Sequence, residues 1–77
     1  MPTFKVYGPN PTDGPSKLSA EATRDNFNED DATWGVVLAY NSSDTAATFT
    51  SATAPAASLR SALETAYPSP GFTVVEV

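Results

Sequence analysis

Proline and glycine restrict where this chain can form regular structure. Residues 8–16 hold three prolines and two glycines, and residues 68–71 read Pro-Ser-Pro-Gly. Because proline fixes φ and lacks a backbone donor, both segments are predicted to be loops or turns. The chain has 77 residues, which is too short for two ordinary domains. We therefore predict a single domain over residues 1–77 with a Pro/Gly-rich loop at residues 8–16.

Four stretches have the composition of β-strands. β-Branched and aromatic residues are frequent in residues 3–7, 33–40, 45–53 and 72–77, as is typical of strands. Residues 41–44 form a polar turn that joins the middle two stretches into a predicted hairpin. Both faces of the 33–40 stretch are largely apolar, which is expected of a strand that is covered on two sides or met by a partner.

One segment has the spacing of an amphipathic helix. Pro55 stands where a first helical turn tolerates proline, and apolar residues then recur at intervals of three and four, at Leu59, Ala62, Leu63, Ala66 and Tyr67. This pattern predicts a helix from Ala56 to Tyr67 with one apolar side. Pro68 ends it.

Residues 17–24 carry two conflicting signals. Leu18, Ala20 and Ala22 alternate with polar residues, which favours a strand. The Ala, Glu, Lys and Arg content favours a helix instead. Taking the strand interpretation, we predict an α+β fold: a small, mostly antiparallel sheet of four to five strands with one C-terminal helix packed on one face. The alternative, with residues 17–26 helical, is the ferredoxin-like order βαββαβ.

The composition argues against most catalytic chemistry. The chain contains no histidine and no cysteine, so the usual general base, the thiol nucleophile and thiolate zinc sites are all missing. No glycine grouping resembles a phosphate-binding loop. We expect no enzyme activity, no cofactor and no metal, and we do not expect a small-molecule ligand.

The charge distribution limits the choice of partners. Net charge is −5, and the four basic residues are scattered along the chain. Phosphate backbones and anionic membranes are bound by clustered Lys and Arg, so we expect no direct contact with nucleic acid or membrane. We see neither a signal peptide nor a transmembrane segment, and we expect a cytoplasmic protein or a component of an assembled particle.

The most acidic stretch, residues 25–31, is a candidate binding segment. Its spacing does not match an EF-hand calcium loop, because Asp31 stands where that motif requires glycine. A looser cation site and a solvated loop both stay open. Trp34 and Tyr40 are candidate contact aromatics, although core packing is the better explanation for them. The candidate partner-binding residues are Asp25, Glu29, Asp30, Asp31, Trp34 and Tyr40.

These features predict a protein that works by binding another protein. A domain of this size buries only about 60% of the surface its unfolded chain exposes, which leaves it short of internal support. We expect a non-enzymatic interaction or structural module, such as a small subunit of a larger particle or a homo-oligomer. The alternative is an acidic inhibitor, a decoy that mimics nucleic acid and binds a basic groove on a partner protein.

Overall fold

The computed structural model describes residues 2–9, 14–30, 34–41, 46–53 and 55–77, without the side chains of Asp30 and Asn41. The elements follow the order βαββαβ: β1 (Thr3–Tyr7), α1 (Lys17–Asp30), β2 (Val36–Asn41), β3 (Ala46–Ser51), α2 (Ala56–Ala66) and β4 (Thr73–Glu76). The predicted α+β class is confirmed. The prediction of a single, C-terminal helix is wrong, because two helices are present and each lies between strands.

The four strands form one antiparallel sheet in the order β2-β3-β1-β4. Phe4 of β1 lies opposite Phe49 of β3 and Glu76 of β4, and Leu38 of β2 lies on the other side of Phe49. The last strand therefore runs parallel to β3 but is separated from it by β1. β2 and β4 are the edges of the sheet.

Helix α1 occupies the segment for which we predicted a strand. Ser16 begins it: its Oγ accepts a hydrogen bond from the Ser19 N–H at 3.2 Å, and its carbonyl accepts one from the Ala20 N–H at 2.9 Å. The alternating pattern was misleading because Leu18 lies on the solvent side of the helix and is 78% exposed. The helix instead turns Ala20 and Phe27, seven residues apart, towards the sheet.

Helix α2 matches its prediction to within one residue. The Leu59 N–H donates to the Pro55 carbonyl at 3.1 Å, and the Tyr67 N–H donates to the Leu63 carbonyl at 2.8 Å. Leu59 and Leu63 are fully buried, as their spacing predicts. Neither described helix has the length and apolar character needed to cross a lipid bilayer.

A single hydrophobic core lies between the two helices and one face of the sheet. The sheet contributes Phe4, Val6, Val36, Ala47 and Phe49, and the helices contribute Ala20, Leu59, Leu63 and Tyr67. Phe27, Trp34, Leu38, Phe72 and Val74 pack at its margin. Both helices therefore cover the same face, and no helix in the described part of the chain lies on the other face of the sheet.

Candidate interaction surface

The helix-free face is the side of the sheet that points away from the core. Successive side chains of a strand point to opposite sides, so the residues that alternate with the core positions occupy this face. Cross-strand register assigns it Thr3, Lys5, Tyr7, Val37, Ala39, Ala46, Thr48, Thr50, Thr73 and Val75. Of these, Ala46 is fully buried. Val77 follows β4, and its N–H donates to the Thr3 carbonyl at 2.9 Å.

Apolar and hydroxyl side chains dominate the helix-free face. Val37 is 64% exposed, Val75 43% and Val77 71%. The hydroxyls of Thr3 and Thr50 lie 3.1 Å apart across β1 and β3. Lys5 is the only charged side chain in the set defined above. Among the described residues the face thus carries little charge, on a protein whose net charge is −5, and exposed apolar patches are typical of contact surfaces.

Trp34 does not belong to a strand and lies on the core side of the molecule. Its ring stacks on Phe27 of α1, with centroids 5.2 Å apart and planes 9° from parallel. Its carbonyl accepts hydrogen bonds from the hydroxyls of Ser51 and, at 2.9 Å, of Thr53. Gly35 follows with φ +54°, a conformation that a side chain disfavours. β2 therefore begins at Val36, three residues later than predicted.

Tyr40 is apart from Trp34, near the end of edge strand β2. It pairs with Ala47 of β3, which is buried in the core, so its side chain is on the core side. The ring is 40% exposed. The two aromatic candidates therefore do not form a shared platform on the helix-free face.

Three of the four acidic candidates, Asp25, Glu29 and Asp30, belong to α1 and not to a loop. Asp25 and Glu29 are both exposed, and they lie one turn apart on the same side of the helix as Glu21. The Arg24 guanidinium binds Asp25, with Nη2 2.8 Å and Nε 2.9 Å from Oδ1. Asp30 ends the helix, but its side chain lies outside the described part. Asp31 lies outside the described residues altogether.

Asn28 has a structural role that the sequence did not suggest. Its Oδ1 accepts a hydrogen bond from the Val36 N–H at 2.9 Å, and its Nδ2 donates to the Val36 carbonyl at 3.2 Å. The side-chain amide thus binds the start of β2 as a neighbouring strand would. No sequence signal distinguishes Asn28 from Asn26, since both stand in the same polar run.

The described residues offer little chemistry beyond binding. A hollow of about 400 Å³ borders the helix-free face and is lined by Tyr7, Gly8, Pro9 and Thr73. The polar side-chain groups among these four residues are one phenol and one threonine hydroxyl. Among the described residues, no three His, Cys, Asp or Glu side chains come close enough to hold a metal ion.

No family model, curated protein or solved structure matches this chain. Inferences about its function rest on the surfaces described above.

Proposed function

We propose that this protein is a non-enzymatic interaction module that serves as a structural or assembly subunit, with the helix-free face as its contact surface. The observation that carries the proposal is the pair of exposed apolar positions, Val37 and Val75, on a face whose described residues include one charged side chain, that of Lys5. A partner with a flat, uncharged surface fits it best.

The arrangement of the sheet supports this proposal. Both helices lie on one side of the sheet, so neither of them covers the other side of the four strands. Thr3, Thr48 and Thr50 are half-buried there. Because their side chains are short, little conformational entropy is lost when a partner orders this surface. The helix side of the molecule is different in character, since Glu21, Asp25, Glu29 and Glu64 lie on the helices.

The experiment is affinity capture from the native source, with bound proteins identified by mass spectrometry. Three baits are compared: the wild-type chain, Val75→Lys on the helix-free face, and Ser61→Lys on the exposed side of α2. Both variants carry the same added charge. We expect one partner to be retained by wild type and Ser61→Lys, and lost by Val75→Lys.

Two results would contradict the proposal. A partner held equally by Val75→Lys and Ser61→Lys binds elsewhere than on the helix-free face. A wild-type bait that enriches no protein over a blank matrix, and that light scattering shows to be monomeric, has no interaction to explain.

The acidic side of α1 supports a second candidate, the decoy that binds a basic groove. Glu21, Asp25 and Glu29 recur every four residues and so share one side of the helix. The ion pair between Arg24 and Asp25 reduces the charge of this stripe, which places the decoy second. Its complex would weaken steeply between 50 and roughly 300 mM salt because exposed charges are screened, whereas binding through the helix-free face would change little.

A further inference from the structure

We propose that strand β2 pairs with the β2 strand of a second copy of this chain, antiparallel and centred on Ala39, to give a continuous eight-stranded sheet. This inference rests on the proposed assembly function and identifies a second copy of the chain as one partner. It concerns the edge of the sheet and leaves the helix-free face available.

The backbone groups that point outward from β2 can be identified from its hydrogen bonds. Val36 gives both its N–H and its carbonyl to Asn28, and its partner Ser51 directs its N–H to the Pro2 carbonyl on the far side of β3. Val36 therefore faces away from β3. Outward and inward residues alternate along an antiparallel strand, so Leu38 and Tyr40 also direct their N–H and carbonyl groups outward. Leu38 and Tyr40 thus direct four backbone groups outward, and within the described residues these four groups have no hydrogen-bond partner.

The edge lacks the usual protection against pairing. Exposed edges in natural proteins commonly carry charged residues, proline or a bulge. Val36–Asn41 reads Val-Val-Leu-Ala-Tyr-Asn, with no charge and no proline, and each of its residues pairs with β3 without a bulge. The Asn28 side chain closes the edge at Val36, and no other described residue covers it from Val37 onward.

The outward N–H and carbonyl groups of Leu38 and Tyr40 can bond to the same groups of a second β2 strand in one register. When two β2 strands cross at a twofold axis through Ala39, Leu38 of each copy faces Tyr40 of the other. All four outward groups of each copy then form interchain hydrogen bonds. The Leu38 and Tyr40 side chains, which are part-exposed on the core side, pack across the junction. Ala39 meets its own counterpart at a Cα separation of about 4.5 Å, and its methyl group fits that spacing.

Cysteine cross-linking tests this register directly. The chain has no cysteine, so each single variant reports on one position. Ala39→Cys should form a disulfide-linked dimer on mild oxidation, because its Cα separation lies within the disulfide range. Val37→Cys should not, since its counterpart lies four residue positions further along, about 13 Å away. Val75→Cys, on the opposite edge strand, is the second control.

Charge variants test the same contact without covalent trapping. Ala39→Lys brings two ammonium groups together at the axis, while Val75→Lys adds the same charge at the other edge. Sedimentation equilibrium should show a tenfold or greater weakening of the dimer for Ala39→Lys and no weakening for Val75→Lys. Added salt should strengthen the wild-type dimer, since each copy carries a net charge of −5.

A wild-type chain that stays monomeric up to millimolar concentration overturns the inference, as does a Val37→Cys variant that cross-links as fast as Ala39→Cys. The Val75→Lys variant distinguishes a failure of this inference from a failure of the helix-free face as contact surface. If Val75→Lys loses a captured partner but keeps the dimer, both proposals hold. If Val75→Lys keeps both the captured partner and the dimer, the helix-free face is excluded as the contact surface, and the pairing of β2 strands still holds.

Discussion

The phenol of Tyr67 donates a hydrogen bond to Oγ1 of Thr23 at 2.9 Å and lies 3.2 Å from the Ser19 carbonyl oxygen. Tyr67 directly follows α2, whereas Thr23 and Ser19 belong to α1. The Tyr67 side chain is 3% exposed, and its ring packs 5.2 Å from that of Phe72. Tyr67 therefore connects α2 to α1 and to Phe72, the residue that precedes β4.

Replacing Tyr67 by Phe should lower the free energy of unfolding by about 1 kcal/mol. The variant keeps the packed ring and loses only the buried hydrogen bonds to α1. Urea unfolding followed by circular dichroism measures the change. Tyr40→Phe is the matched control because its ring is 40% exposed, and its stability should stay within roughly 0.5 kcal/mol of wild type. Equal effects for the two variants would show that the Tyr67 hydroxyl contributes nothing specific.

Two leucines of opposite exposure test where the core lies. Leu63 is fully buried and Leu18 is 78% exposed. Leu63→Ala should cost about 2–5 kcal/mol because it removes buried methyl groups and leaves a cavity, and a domain of this size can unfold entirely at that cost. Leu18→Ala should cost less than roughly 0.5 kcal/mol. Thermal unfolding of both variants measures the two losses of stability. A larger loss of stability for Leu18→Ala than for Leu63→Ala would contradict the orientation of α1.

The stacked pair of Phe27 and Trp34 provides an optical measurement. The chain has one tryptophan, so its emission reports on this contact alone. Phe27→Leu keeps an apolar side chain but removes the stacked ring, which should cost about 0.5–1.5 kcal/mol beyond lost area. The Trp34 emission maximum should shift to longer wavelength in the folded variant. Phe72→Leu, which alters a ring that packs on Tyr67, should leave the emission of Trp34 unchanged.

The residue pattern predicted those elements whose core positions repeat within a short window. β1 matches because Phe4 and Val6 alternate with exposed or half-buried neighbours, and α2 matches because Leu59 and Leu63 follow the helical period. In α1 the two positions turned to the core, Ala20 and Phe27, are a full seven residues apart. The window 17–24 ended before Phe27, so the alternation of Leu18, Ala20 and Ala22 with polar residues outweighed the helical propensities.

The candidate surface was harder to predict than the fold. The apolar residues on both faces of the 33–40 stretch indicated a strand that is covered on two sides or met by a partner, and the structure places Val37 in an exposed position. The acidic residues looked like a loop, although Asp25 and Glu29 lie on a helix. Trp34 looked like part of a strand face. A local pattern contains no information about Asn28, because its role depends on Val36, eight residues away and in another element.

The amide of Asn28 should protect the Val36 N–H from solvent exchange. That N–H points away from β3 and is bound by Oδ1 of Asn28 at 2.9 Å, so Asn28→Ala exposes it to water while the Val37 N–H stays bonded within the sheet. Hydrogen exchange followed by NMR should show the Val36 amide accelerated far more than that of Val37. Because two hydrogen bonds to a half-buried amide are lost, the stability should also fall by about 1–3 kcal/mol. Asn26→Ala, on the exposed side of the same helix, should change neither quantity appreciably. Equal acceleration at Val36 and Val37 would instead mean that the variant opens the whole sheet and that Asn28 does not act locally at the edge.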